Sequence, residues 1–355
     1  ADLSTAVLER SLYHTTNSYN IPNVKSTGVC CKTNLAPFTA FRGFGAPQAF
    51  FALESAIHKA SEIFNQTPAH IQFINLLKEN SEFPYGQFAE NSESINTWDT
   101  LVKKYHTDQT IKEVEIFNSK NSNFKKGVSF MPICFGISFT NTVMNHARAL
   151  VHVYQDGSIG ISTGAIEMGQ AVNTKIMQVA AGVFSVSIDR VKIETTNTTR
   201  VANTSPTAAS SGADLNGKAT EIACMEIKER LLHAATEHLN VQTKDVQIAD
   251  EYVYIQDKKT ELHWNELVEI AFLGRVKLSE KGHYATPEIW FDKKKEKGKP
   301  FAYHVYGTAC TVVTVDVKRG TYEIESVDIV HDFGKSMNLL IDKGQVEGAL
   351  IQSIV

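Results

Sequence analysis

The chain has 355 residues, of which 43% are hydrophobic and 21% charged, with a formal net charge of -4. That length suits about two domains of ordinary size, each able to bury a core, and the near-average composition excludes a disordered or fibrous chain. The mildly acidic balance argues against nucleic acid as a partner, and no apolar run reaches the roughly 18 residues of a membrane helix.

Ala1-Asp2-Leu3-Ser4 is no signal peptide, and the five cysteines show neither Cys-x-x-Cys spacing nor a framework of pairs. They read as small buried hydrophobes in a reducing compartment, so the expected setting is cytoplasmic, with neither membrane nor nucleic acid as a partner. Leu3, Val7, Leu8 and Leu12 suggest a helix already running at the start. Val346, Ala349, Leu350, Ile354 and Val355 form an apolar face still running at the end. A fragment of a longer protein is therefore expected.

Phe50, Leu53, Ile57 and Ala60 mark an amphipathic helix from Pro47 to about Phe64, and a second begins at Pro68. Residues 80–110 read as polar and turn-rich, and Ile111 to Phe117 as a short strand or helix. Asn118 to Lys126, rich in asparagine and serine, is the linker candidate. After it the texture turns to strands. Ala149–Tyr154 and Ile159–Thr163 flank Asp156-Gly157, a hairpin signal. Residues 171–184 are helical, Val191–Glu194 is a strand, and a long helix runs from Leu215 to Leu239. Thr308–Val317 and Thr321–Val330 form a second hairpin around Lys318-Arg319-Gly320. The fold class is α+β. The basic stretch Asp292 to Lys299 is a solvated surface loop, since acids interrupt it and no aromatics interleave.

Three segments look wrong for pure scaffolding. Thr39 to Gln48 places Gly43 and Gly45 around Phe44 ahead of a helix, where backbone amides approach a ligand and Arg42 can stack on it or neutralise an anion. Thr163 to Gln170 joins a strand to a helix. Its Gly-x-x-x-x-Gly lacks the Lys-Ser/Thr of a phosphate loop, which leaves exposed amides and the Gln170 side chain for a polar ligand. Glu194 to Asp214 is a long run of hydroxyl, amide and small side chains leading into a helix, suited to an oxyanion, with Ala208-Ala209 leaving room for a flat ligand. No nucleophile elbow or His-Glu-x-x-His is present, and the adjacent His331 and Asp332 would face opposite sides of a strand. Ligand-cradling loops without an obvious acid, base or metal ligand point to a cofactor that carries the chemistry.

At these loops the sequence resembles the xanthine dehydrogenase family. The match is carried in order by AFRGFGAPQ (40–48), FGISFT (135–140), HVYQDGS (152–158), IEMGQ (166–170), VANTSPTAAS (201–210), ADLNGKA (213–219) and IDKGQVEGA (341–349). Tyr284 to Pro287 and Tyr306 to Cys310 resemble the bacterial large-subunit type. The resemblance implies a two-part molybdopterin-binding domain of hairpin-rich mixed sheets packed with helices. Residues 1–120 would end a first, largely helical subdomain, and residues 121–355 would form a second. It also implies molybdenum hydroxylase chemistry, in which oxygen from water enters a carbon of a heteroaromatic ring or of an aldehyde, with hypoxanthine and xanthine as the expected substrates. Electrons would leave through 2Fe-2S clusters to FAD on other domains or subunits, in an enzyme expected to be a homo-oligomer.

Carried over residue by residue, the resemblance implies that Arg42 lies against the molybdenum centre through its backbone. Phe44 and Phe139 would hold the flat purine, Thr140 would hydrogen-bond it, and Ala208 and Ala209 would wall its pocket. Met168, Gln170, Thr207, Ser210 and Gln345 would join Arg42 in holding molybdopterin. No catalytic residue is assigned, because the family's base glutamate is expected beyond Val355 in a Gly-Glu-Pro segment. The substrate-orienting glutamate and arginine are expected before Ala1. Ile166, Ala171 and Leu339 depart from the family's threonine, glycine and proline. The chain alone is expected to be inactive. An aldehyde oxidase-type or other heterocycle hydroxylase, or a non-catalytic binding module, are the alternative readings.

Overall fold

The computed structural model describes residues 3–37, 39–194, 196–242 and 245–354. Ala1, Asp2 and Val355, which entered the terminal readings above, and Thr195 of the hydroxyl-rich loop lie outside the described residues. Two units divide the chain, one holding it up to Thr140 and again over Glu288–Gly334, the other holding Asn141–Pro287 and the chain from Lys335 on.

In the first unit, helices α1 (Ser4–Tyr13), α2 (Ala46–Phe64), α3 (Pro68–Ile74), α4 (Ser94–Tyr105) and α5 (Thr107–Lys120) precede the long strand β1 (Phe124–Ile137). The hairpin β9–β10 (Trp290–Asp292, Lys297–Lys299) carries the basic stretch, and β11 (Tyr303–Asp316) and β12 (Thr321–His331) follow. The sheet order is β1-β11-β12, antiparallel throughout. Thr67 caps α3 by accepting the His70 amide at 3.2 Å, with Pro68 in the first turn where its missing N–H costs nothing. Gly45 enters α2 at φ 105°, and a β-carbon there would strike the Val7 carbonyl of α1, so glycine alone fits. Trp98 stacks on Phe130 at 4.9 Å within a cluster that includes Tyr19, Leu76, Leu101 and Cys310.

Two readings change here. Residues 80–110 contain α4, whose Trp98 and Leu101 are buried while polar residues fill the other faces. The expected linker is a pinned turn: the Asn118 side chain accepts the Lys126 amide at 2.7 Å and donates to its carbonyl at 2.8 Å. Lys120 ends α5 and Asn121 follows it, both inside one unit.

The second unit contains β2 (His146–Val153), β3 (Ile159–Thr163), α6 (Val172–Phe184), β4 (Val191–Ile193), α7 (Gly212–Leu239), β5 (Val246–Ala249), β6 (Tyr252–Ile255), β7 (Lys258–His263), α8 (Trp264–Leu273), β8 (Ser279–Ala285) and α9 (Leu339–Ile354). Its main sheet has the order β4-β3-β2-β8, and β3 and β4 are parallel, joined through α6. The parallel pair needs that crossover, whereas β2 and β3 close through a short turn in which Asp156 accepts the Ser158 amide at 2.9 Å. Val151, Ile161, Ile176, Phe184, Ile227, Leu231 and Trp264 share one core. Gly282 lets β8 lie against α7, since a β-carbon there would strike the Ala219 carbonyl. The β5-β6-β7 meander, α8 and β8 are additions to the sequence reading. The fold is α+β, and among the described residues no helix is long and apolar enough to cross a membrane.

One buried acid ties the first unit's helices to β1. Glu54 is 7% exposed and accepts Tyr19 Oη at 2.7 Å, Asn17 Nδ2 at 3.1 Å and Gln72 Nε2 at 2.8 Å. Asn17 and Gln72 also donate to the β1 carbonyls of Pro132 and Phe130. Burial pushes the Glu54 carboxyl up, and its three hydrogen-bond donors only partly offset this. A raised folded-state value means its contribution is full below the ordinary carboxylate range and is lost as pH rises through that raised value. Glu54→Ala strands the donors and is expected to cost about 3 kcal/mol in urea unfolding at neutral pH. Glu54→Gln is expected to lose less and to flatten the pH dependence of stability near the carboxylate range.

Candidate functional site

The second unit brings two of the three predicted loops together. The loop after β3 reaches the one before α7 through a hydrogen bond from the Ile166 amide to Thr207 Oγ1 at 2.9 Å. Gly164 lies against Thr204, where a β-carbon would clash. Both loops open at helix amino termini, where unpaired N–H groups and the helix dipole favour polar or anionic groups.

The first of these loops spends its polarity on itself, which the sequence did not reveal. Gln170 accepts the Met168 amide at 2.6 Å and donates to the Ile166 carbonyl at 2.8 Å. Glu167 accepts the amides of Gly169, Ala171 and Asn173 at 2.9, 3.0 and 3.1 Å. Partial burial pushes the Glu167 carboxyl up, but these amides outweigh it and hold it below the usual range. The amides of Met168, Gly169 and Ala171 ahead of α6 are thus already satisfied, and Met168 projects with 67% of its surface exposed.

The loop before α7 is the opposite case. Ala209 and Ser210 both adopt left-handed backbone at φ 57°, and Ser211 closes the turn by donating its amide to Ala208 at 3.3 Å. Among the described residues, no hydrogen bond claims the backbone amides of Ala208, Ala209 or Ser210. Successive amides in such a turn form a concave anion-binding surface.

Gln345 lies one turn beyond Asp342 on α9, and Asp342 fixes that helix to α6. Its carboxylate pairs with Lys175 at 2.8 Å and accepts the Ser336 hydroxyl at 2.5 Å, with the acid side chain 6% exposed. Burial pushes the Asp342 carboxyl up, and Lys175 and Ser336 more than reverse it.

The first unit holds the remaining predicted residues. Gly43, Phe44 and Gly45 have φ of 89°, 49° and 105°, and this curl leads into α2 beside a pocket of about 380 Å³ lined by Arg42, Phe44, Pro47 and Phe51. Phe139 and Thr140 follow β1. Thr140 donates to Glu9 at 2.8 Å, and the other oxygen of Glu9 pairs with Lys293 at 3.2 Å.

Beside them sits a residue the sequence reading passed over. Arg10 is 2% exposed, with its two terminal nitrogens on the carbonyls of Gly136 (2.6 Å) and Ser138 (2.5 Å) and the rings of Phe135 and Phe301 at 5.1 and 5.2 Å. Burial lowers its pKa to about 10, so it remains a cation at neutral pH, and its Nε has no partner. His14 braces it: Nε2 accepts the Gly136 amide at 3.0 Å, so the proton sits on Nδ1 and points to the Arg10 carbonyl at 2.9 Å. Burial pushes His14 down to about 3, which keeps it neutral. The available signal was the helical spacing of Arg10 with Tyr13 and His14, a polar pair on a buried face.

Molybdopterin, the cofactor implied above, can be tested against these contacts. Among the described residues, Thr204 Oγ1, Asn173 Oδ1 and Asn216 Oδ1 are buried without partners in the segments around the two loops of the second unit. Such acceptors suit the N–H groups of a pterin, and the unclaimed amides before α7 suit its phosphate. Among the described residues no cluster of His, Cys, Asp or Glu could hold a metal ion, so a metal here would have to arrive with its own ligands. The residues fit the group. Lys175→Met, which leaves Asp342 buried and unpaired, is expected to cost about 3 kcal/mol in urea unfolding. Adding Asp342→Leu is expected to recover part of that loss.

Two family models, each described as a molybdopterin cofactor-binding domain, match residues 1–76 and 100–354. Xanthine dehydrogenase of Dictyostelium discoideum is 39% identical over 99% of this chain and 25% of its own length. That of Oryza sativa subsp. japonica is 40% identical over 99% of this chain and 24% of its own length. The chain therefore spans about a quarter of the length of these curated relatives. Quinoline 2-oxidoreductase of Pseudomonas putida 86 superposes with a TM-score of 0.83 at 19% identity, covering 97% of this chain and 44% of that one. Aldehyde oxidoreductase from Desulfovibrio gigas gives 0.80 at 24%, covering 98% and 35%. These two likenesses are of fold. The chain belongs to the molybdopterin cofactor-binding domain family, with xanthine dehydrogenases among its relatives.

Proposed function

We propose that this chain is the cofactor-holding part of a xanthine dehydrogenase-like molybdenum hydroxylase that acts on hypoxanthine or xanthine. The observation that carries the reading is the pair of loops tied by Ile166 and Thr207: one is closed on itself by Glu167 and Gln170, and the other has, among the described residues, unclaimed amides at Ala208, Ala209 and Ser210 with orphaned buried acceptors nearby. Met168, Gln170, Thr207, Ser210 and Gln345, with the backbone of Arg42, would hold the cofactor. When bound, the molybdenum centre supplies oxygen drawn from water and takes up the electrons of the oxidation.

The chain's own residues bind and orient. Phe44 and Phe139 offer aromatic faces to a flat ring, Ala208 and Ala209 keep a wall thin, and Thr140 offers a hydroxyl fixed by Glu9. Arg10 adds a buried cation without an ion-pair partner among the described residues, suited to the electron-rich carbonyl oxygens of an oxidised purine. No residue of the chain stands in a Gly-Glu-Pro segment, so proton removal from a substrate is assigned to a base outside these residues. The longer protein would carry the 2Fe-2S clusters and FAD, form a homo-oligomer and work in the cytoplasm on purine breakdown.

Purified longer protein is expected to oxidise xanthine, and Arg10→Met to lower kcat/KM by about 10²–10³, the range for losing one well-placed electrostatic group. The 355-residue chain alone is expected to give no turnover. Xanthine oxidation by that chain, or activity of the longer protein on aldehydes but not purines, would contradict the reading.

A further inference from the structure

Glu167 is an exposed acid in a loop otherwise discussed for Met168 and Gln170. Three backbone N–H groups converge on its carboxylate: Gly169 and Ala171 on one oxygen, Asn173 on the other, at 2.9, 3.0 and 3.1 Å. They belong to the loop and to the first turn of α6, so one side chain joins the loop to the helix. Part of the backbone it holds is unfavourable by itself: Gly169 takes φ 95° freely, but Ala171, which carries a β-carbon, lies in the left-handed region at φ 59°. Gln170 closes the rest of the turn through Met168 and Ile166. Ile166 and Met168 are left 46% and 67% exposed on a loop in which the amides of Ala165, Ile166, Met168, Gly169 and Ala171 are engaged.

A helix amino terminus ordinarily offers its N–H groups to an anion from outside. At α6 that place is taken by an anion from within the chain, whereas among the described residues the amides of Ala208, Ala209 and Ser210 before α7 are unclaimed. The two helix starts therefore have different duties. We propose that Glu167 is the positioning residue of the cofactor cradle: its carboxylate occupies the α6 amino terminus in place of an external anion and fixes the loop that presents Met168 and Gln170. This rests on the reading that the loop faces molybdopterin. Glu167 itself needs no contact with the cofactor.

The test uses the longer protein carrying Glu167→Ala and Glu167→Gln, with two readouts. The first is hydrogen exchange at the amides of Gly169, Ala171 and Asn173 in cofactor-free protein. The second is the rate at which pterin, detected by the fluorescence of its oxidised form, leaves the loaded protein. In both variants these amides are expected to exchange at least about tenfold faster and pterin to leave at least about tenfold faster, while exchange in the α7 core stays unchanged. Inorganic phosphate at millimolar concentration is expected to restore amide protection in Glu167→Ala, since it refills the vacated place; a residue that merely stabilises the fold would not be replaced this way. Unchanged exchange and unchanged pterin release in both variants would overturn the proposal, as would pterin loss that accompanies exchange throughout the α7 core. Wild-type protein that carries no pterin would overturn the cofactor reading, and the role assigned to Glu167 with it.

Discussion

The parallel pairing of β3 with β4 constrains everything at the cofactor end of the second unit. Parallel neighbours cannot be joined by a tight turn, so the chain must leave the end of β3, cross through α6 and return. That places the loop over residues 164–171 at the carboxyl end of a strand, where open sheets collect their ligands. The core beneath it, with Ile161, Ile176 and Ile227 fully buried, leaves the crossover little freedom. The link from Ile166 to Thr207 then attaches the loop before α7, and Lys175 with Asp342 attaches α9. Three segments that we propose hold the cofactor thus depend on a single crossover.

Burying charge is the recurring cost in this protein, and it is met differently in each place. Among the described residues Arg10 has no carboxylate on it and is held by two backbone carbonyls and two aromatic rings. Asp342 is paired outright and serves to hold a helix. Glu54 has neutral donors only and serves to join helices to β1. Glu167, which is exposed rather than buried, is held instead by backbone amides at the α6 amino terminus. Arg10 donates to the carbonyl of Ser138, next in the chain to Phe139 and Thr140, which are proposed to meet a substrate.

What could be read from the sequence followed from local chemistry. Asp156-Gly157 and Lys318-Arg319-Gly320 turned where their φ requirements say they must, and the long apolar period of α7 survived intact. Elements decided by distant partners were not legible. Helix α4 presents few apolar residues, and Trp98 matters because Phe130 on β1 receives it. The short β5-β6-β7 strands gain meaning only by pairing with one another. At the site, the glycine- and hydroxyl-rich loops announced themselves, whereas their division of labour did not. Glu167 reads as surface charge until its three amides are seen, and Arg10 as an ordinary helix cation until it is found buried.

The central claim is that these loops hold a molybdopterin, and the most direct measurement is the molybdenum and pterin content of the purified longer protein. The account predicts molybdenum and pterin in equal amounts, both falling together when Ser210 and Thr207 are replaced by bulky apolar residues in protein that still folds. A well-folded protein with neither molybdenum nor pterin, or with contents indifferent to those replacements, would contradict it.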